Sequence, residues 1–147
     1  MSVKNIPAFL TAAVIVTASA LTACTHPGAG YSEYADIPAA GWAYGDTVSF
    51  TPDSLAGAPL SIALRHNSSY PWRNLWLEVS DSLHRDTVAI AMSDSFGKWH
   101  GTGLGGSFQI AVAMPFAPTP GVRVNIRNIM RVDTLTGIMQ VGLVPTE

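Results

Sequence analysis

The sequence predicts an all-β domain, an antiparallel β-sandwich of about seven or eight strands, set behind a cleaved lipoprotein leader. Three observations predict it. Apolar residues recur with a period of two from about residue 46 onward, turn-forming residues punctuate those runs, and no window outside the leader carries a convincing amphipathic helix.

The alternation can be followed along the chain. Val48 and Phe50 oppose Thr47, Ser49 and Thr51; Leu60, Ile62 and Leu64 oppose Ser61, Ala63 and Arg65. Leu75, Leu77 and Val79 alternate with Trp76, Glu78 and Ser80, and Val88, Ile90 and Met92 with Thr87, Ala89 and Ala91. The cleanest run sets Phe108, Ile110, Val112 and Met114 against Gln109, Ala111 and Ala113. Val122, Val124 and Ile126 follow, and the parity slips at Ile129, which predicts a bulge or strand end near Asn128. A last strand directs Met139, Val141 and Leu143 inward. Between the runs lie Pro52-Asp53, Ala56-Gly57, Asn67-Ser68-Ser69, Ser93-Asp94-Ser95, Gly103 to Gly106 and Pro118 to Gly121. Strands this short, each with one apolar face, bury those faces by packing two sheets together. Jelly-roll and immunoglobulin-like topologies both satisfy the pattern, and the strand order stays open.

The leader occupies residues 1–23. Lys4 supplies a positive n-region, and a run of apolar and small residues extends from Ile6 to Ala20. That run is short for a bilayer span, which needs about 20 apolar residues. It ends in Leu21-Thr22-Ala23-Cys24, the pattern of a lipobox, so Cys24 is expected to carry an S-diacylglycerol and, after cleavage, an N-acyl chain. Cys24 is the chain's one cysteine, which leaves no intramolecular disulfide and no thiolate cluster for a metal. Two or three acyl chains on one residue make a lasting anchor, where one chain alone binds marginally. Residues 24–30 then form a pliable tether, roughly 15 to 20 Å if extended, and residues 31–147 the sandwich. Removing the leader leaves roughly 120 residues, the size of one domain.

Charged residues are 12% of the chain and apolar residues 48%, a balance suited to a packed domain. The net charge is −2, and loss of Lys4 takes it to about −3. This weakly acidic balance argues against nucleic acid, which needs a basic stripe, and against recruitment by anionic headgroups.

Catalytic patterns are absent. His26, His66, His84 and His100 form no HExxH or His-x-His arrangement and are expected in loops or at the surface. Gly101-Thr-Gly-Leu-Gly-Gly106 lacks the Lys-Ser/Thr and the helix of a phosphate loop, and is expected as a flexible connection. No Gly-x-Ser-x-Gly elbow occurs. The carboxylates are scattered, so a glycosidase pair would have to be assembled from distant loops. No enzyme activity, cofactor, metal or small-molecule substrate is therefore expected.

The aromatic residues are more informative. Trp42, Tyr44, Tyr70, Trp72, Trp76 and Trp99 are many large rings for a small domain, and Trp72 and Trp76 share the face opposite Leu75 and Leu77. Such rings either complete the core or form an exposed platform for a sugar ring or a partner protein. Tyr70, Trp72, Arg73, Trp76 and Trp99 are the candidate binding surface.

Several segments resemble the gliding-motility lipoprotein family GldH of Bacteroidota. They are Tyr31-Ser-Glu-Tyr-Ala-Asp-Ile-Pro38, Gly41-Trp42, Asp46-Thr-Val-Ser-Phe50, Leu64-Arg-His-Asn67 and Tyr70-Pro-Trp-Arg-Asn-Leu75. Gly97-Lys-Trp-His-Gly101, Met130-Arg-Val-Asp-Thr-Leu135 and Gly137-Ile-Met-Gln-Val-Gly-Leu143 continue the match in order. The resemblance implies a non-catalytic envelope lipoprotein associated with gliding and type IX secretion machinery, with other envelope proteins as partners. It transfers one functional position, Cys24. A lipid-anchored glycan-binding module is the alternative expectation. Thr25 after the cysteine, where inner-membrane retention uses Asp, and the lack of an acidic run predict the periplasmic face of the outer membrane.

Overall fold

The computed structural model describes residues 30–53 and 59–147. The leader, Cys24, the tether up to residue 29 and the expected turn at Ala56-Gly57 lie outside the described residues. The described chain contains eleven strands, all paired antiparallel, and no helix.

In chain order these are β1 (Glu33–Asp36), β2 (Trp42–Ala43), β3 (Thr47–Phe50), β4 (Leu60–Asn67), β5 (Asn74–Ser80) and β6 (Arg85–Ala91). Then come β7 (Thr102–Leu104), β8 (Ser107–Ala113), β9 (Val124–Asn128), β10 (Thr134–Leu135) and β11 (Ile138–Pro145). One sheet has the order β1-β11-β4-β8-β7, the other β3-β9-β5-β6, and β2 and β10 form a separate two-stranded ribbon. Setting aside the short β2, β7 and β10, the eight principal strands pair first with last, second with seventh, third with sixth and fourth with fifth. The fourth and fifth, β5 and β6, form a hairpin; the other three pairs close over long range. That nesting is a jelly roll, and it decides against the immunoglobulin alternative.

The inward residues follow the alternation. Ile62 and Leu64 of β4, Leu75, Leu77 and Val79 of β5, Ile90 of β6, Val124 and Ile126 of β9, and Val141 and Leu143 of β11 are buried in one core. Each such side chain contributes about 1.5–3 kcal/mol by leaving water, which is what fixes the two-residue register.

Five expectations are corrected. The strand count rises from seven or eight to eleven through β2, β7 and β10. The glycine run is no loose connection: β7 pairs with β8, and Gly105 and Gly106, with φ of 62° and 82°, make the two-residue turn between Leu104 and Ser107. Two successive positive φ values are what a type I′ hairpin turn demands, and glycine supplies them without strain. β9 ends at Asn128 as expected, but the parity does not slip at Ile129. Asn128 and Met130 continue the inward face after Ile126, and a buried polar residue broke the apolar pattern. Met139 points out, 42% exposed, because β11 shifts register between Ile138 and Gln140, and Ile138 takes the inward place. His66 is a fully buried strand residue, where a loop or surface position was expected.

The strand directions give the molecule two ends. The chain enters β1 beside Leu143, near the end where Leu60 of β4 pairs with Pro145 of β11. β4 runs from there to Asn67, and a short crossover delivers the chain to Asn74 at the start of β5. The first residues of β5 therefore sit at the end remote from the tether. Eight residues of β4 rise about 26 Å.

Candidate functional site

At the remote end, β9 and β5 part company. Leu77 pairs with Asn128, the Ile129 amide still donates to Trp76 O at 3.0 Å, and the chain then turns, with Val132 N donating to Met130 O at 2.9 Å. Beyond that turn it runs into β10, which pairs with β2. Asn128 holds the junction: its Nδ2 donates to the carbonyls of Trp42 and Ala43, each at 3.3 Å. The ribbon seals the core with Trp42 and Leu135, each 1% exposed, and the Trp42 indole donates to Asp46 O at 2.9 Å.

The gap left where β9 peels away is a groove of about 460 Å³, lined by Trp72, Asn74, Trp76, Ile129, Met130, Arg131 and Val132. Asn74 and Trp76 are alternate residues of β5 and face one way, and Trp72, from the crossover just before the strand, lines the same groove. Both tryptophans are 43% exposed. The Trp76 amide finds only the Met130 sulfur, at 3.4 Å, a weak acceptor.

The same outer face changes character along β5. Past Trp76 come Glu78 and Ser80, and Glu78 accepts two hydrogen bonds from Arg127 of β9, at 2.9 and 3.2 Å. That pairing, with a smaller contribution from Arg85, holds the Glu78 carboxyl below the ordinary range against the opposing effect of burial. Arg127 is thus paired with Glu78, which Arg85 approaches at 3.9 Å, whereas Arg131 and Arg73 make no ion pair among the described residues.

The five residues of the candidate surface separate. Trp72 and Trp76 meet in the groove. Tyr70 is 2% exposed and acts as a support: its hydroxyl donates to Asn74 O at 2.7 Å, and burial raises its pKa. Arg73 lines an adjoining depression with Asn74, Ala89, Ile90, Ala91 and Ser93. Trp99 is half-buried on the other side of the crossover, packed edge-on to His66 with ring centroids 4.8 Å apart, beside Tyr70 and Phe108. Sequence reasoning missed Asn74, Ile129, Met130, Arg131 and Val132 as groove residues. Their one signal was position, because they lie within or beside the segments that carry the family resemblance.

Chemically, the groove offers aromatic faces, an amide, a guanidinium and aliphatic walls. Its lining holds no carboxylate, hydroxyl, thiol or imidazole. It is equipped to stack and to hydrogen-bond, not to move a proton or attack a carbonyl. Among the described residues no group of His, Cys, Asp and Glu is placed to hold a metal ion, and no helix is long and apolar enough to cross a membrane.

The model of the GldH lipoprotein family matches residues 29–144. The chain belongs to the GldH lipoprotein family. Membership makes this a lipoprotein, held to a membrane of the cell envelope. Comparison with curated proteins gives no match. Among solved structures, the chain is similar to the Eiger tumour-necrosis-factor protein of S. frugiperda, at 13% identity and a TM-score of 0.36, over 81% of this chain and 94% of that one. Within the GldH-family chain, several of the segments that carry the sequence resemblance come together at the end remote from the tether, among them Leu64–Asn67, Tyr70–Leu75, Met130–Leu135 and Gly137, while Glu33 and Leu143 pair at the other end. Gly137 shows how closely they approach: its φ is 89°, and a Cβ there would stand 2.5 Å from Tyr70 Cα.

Proposed function

We propose that this protein is a non-catalytic component of the envelope machinery for gliding motility and type IX secretion, tethered through a lipid on Cys24 to the periplasmic leaflet of the outer membrane. Family membership across nearly the whole mature chain is the observation that carries this reading. The absence of acid–base or nucleophilic groups in the groove supports a role in binding. So does the placement of that groove roughly 20 Å beyond the point where the tether joins the sandwich. Thr25 and the uncharged stretch that follows it support the periplasmic face.

The test is crosslinking of the full chain in its own envelope, followed by purification in mild detergent. Other envelope proteins of the motility or secretion machinery are the expected companions, and a chain that purifies alone sinks the proposal. Protease added to intact cells should leave the domain untouched; its removal would put the sandwich on the outer surface.

A further inference from the structure

We propose that the groove between Trp72, Trp76 and the Ile129–Val132 segment is a carbohydrate site, and that its ligand is an oligosaccharide bearing a carboxylate. The inference goes beyond the envelope-component reading and does not depend on it.

Four features of the groove point to this ligand. Trp72 and Trp76 both line the groove, one from the crossover just before β5 and one from β5 itself, so more than one indole face is offered to a sugar chain. Each indole is held half-exposed, which keeps a rigid apolar plate in water at little conformational cost. Asn74 stands between them, and its amide, donor and acceptor at once, matches a pair of neighbouring hydroxyls. Arg131 is the one charged residue in the lining, with no carboxylate beside it there and no ion pair among the described residues.

Charge complementarity therefore selects an anion, and the planar guanidinium fork favours a carboxylate held by two parallel hydrogen bonds. Arg73, likewise without an ion pair among the described residues, extends the positive side toward the depression bordered by Asn74 and β6. The groove's volume of about 460 Å³ suits a small ligand, since such clefts run roughly 300–1,000 Å³.

The experiment titrates the full chain, in a detergent without sugar headgroups, with hyaluronan hexasaccharide, which alternates glucuronate and N-acetylglucosamine. Neutral chitohexaose of the same length serves as the counterpart, and tryptophan fluorescence is the readout. Saturable binding of the acidic oligosaccharide is expected, weaker for the neutral one and weaker as salt is raised. Trp72→Ala and Trp76→Ala should each reduce affinity about tenfold. Arg131→Gln should bring the acidic sugar down to the level of the neutral one and remove most of the salt dependence. Melting temperatures of all three variants should stay near wild type, which separates lost contacts from lost folding. Equal binding of the two sugars would overturn the acidic specificity. No saturable binding of either, or binding indifferent to Trp72, Trp76 and Arg131, would overturn the site. Poly-glutamate bound with the same dependence in place of hyaluronan would also overturn it, by making the occupant a peptide.

Discussion

His66 is the last inward residue of β4 after Ile62 and Leu64, and it is buried among rings. Phe108 stacks on it at 5.4 Å, with Trp99 at 4.8 Å and Tyr70 at 6.0 Å between centroids. Its Nδ1 donates to the Asn67 carbonyl at 3.1 Å, which assigns the proton of the neutral ring to Nδ1 and leaves Nε2 buried without a partner. Burial penalises the charged imidazolium, so the folded-state pKa lies below the ordinary 6.5. The sign for stability follows. Above 6.5 the histidine is neutral in both states and costs nothing. As pH falls through 6.5 the unfolded chain binds a proton that the folded chain refuses, and stability declines until the folded pKa is also passed. The melting temperature should therefore drop between pH 8 and pH 5.5, and His66→Phe, which keeps a ring and removes the titration, should flatten that drop. An unchanged slope in the variant would assign the acid sensitivity elsewhere. Glu78 acts lower on the scale: its depressed carboxyl stabilises above the ordinary value of 4.5, and that contribution is lost as pH falls through its folded pKa.

At the scale of elements, β5 and the β2–β10 ribbon put tryptophans to opposite uses. Trp42 lies under the ribbon at 1% exposure with its indole N–H satisfied by Asp46 O, while Trp76 stands on the outer face of β5 at 43%. Trp42→Ala removes a buried ring from a close-packed end and is expected to cost about 3–5 kcal/mol. Trp76→Ala removes a ring already in contact with water and should cost under about 1 kcal/mol. Denaturant melts of the two variants check this, and comparable losses would mean that Trp76 belongs to the core. The sequence already placed Trp72 and Trp76 opposite Leu75 and Leu77, because strand parity is local. It could not place Ile129 to Val132 beside them. That neighbourhood exists because β9 leaves β5 after Asn128, and Asn128 looked like the end of an apolar pattern when it was its polar continuation. Likewise, the bulge that turns Met139 outward comes from the pairing of β11 with β4, and pairing partners are invisible in a single strand.

For the whole molecule, the two sheets share one core, so unfolding is expected as a single transition. The lipid proposed on Cys24 is expected to leave that core alone. Cys24→Ser is accordingly expected to shift the protein from the membrane to the soluble fraction while its melting temperature stays within a few degrees of wild type. A variant that remains in the membrane fraction would show that something other than Cys24 retains it. A Tm drop as large as that of Trp42→Ala would mean that the tether packs on the sandwich.

The division between sequence and tertiary structure has a physical basis. The period-two alternation, the turn residues and the ordered family segments determined an all-β sandwich of the GldH family, since each depends on neighbours a few positions apart. The leader pattern ending at Cys24 is equally local. Three things needed the folded chain: the jelly-roll order, the burial of His66 and Asn128, and the groove that gathers Trp72, Trp76 and Arg131. Each depends on contacts between residues far apart in the chain, such as Leu60 with Pro145 or Trp42 with Asn128. Those contacts are selected by the burial of one shared core, a property of all the strands together and of none alone.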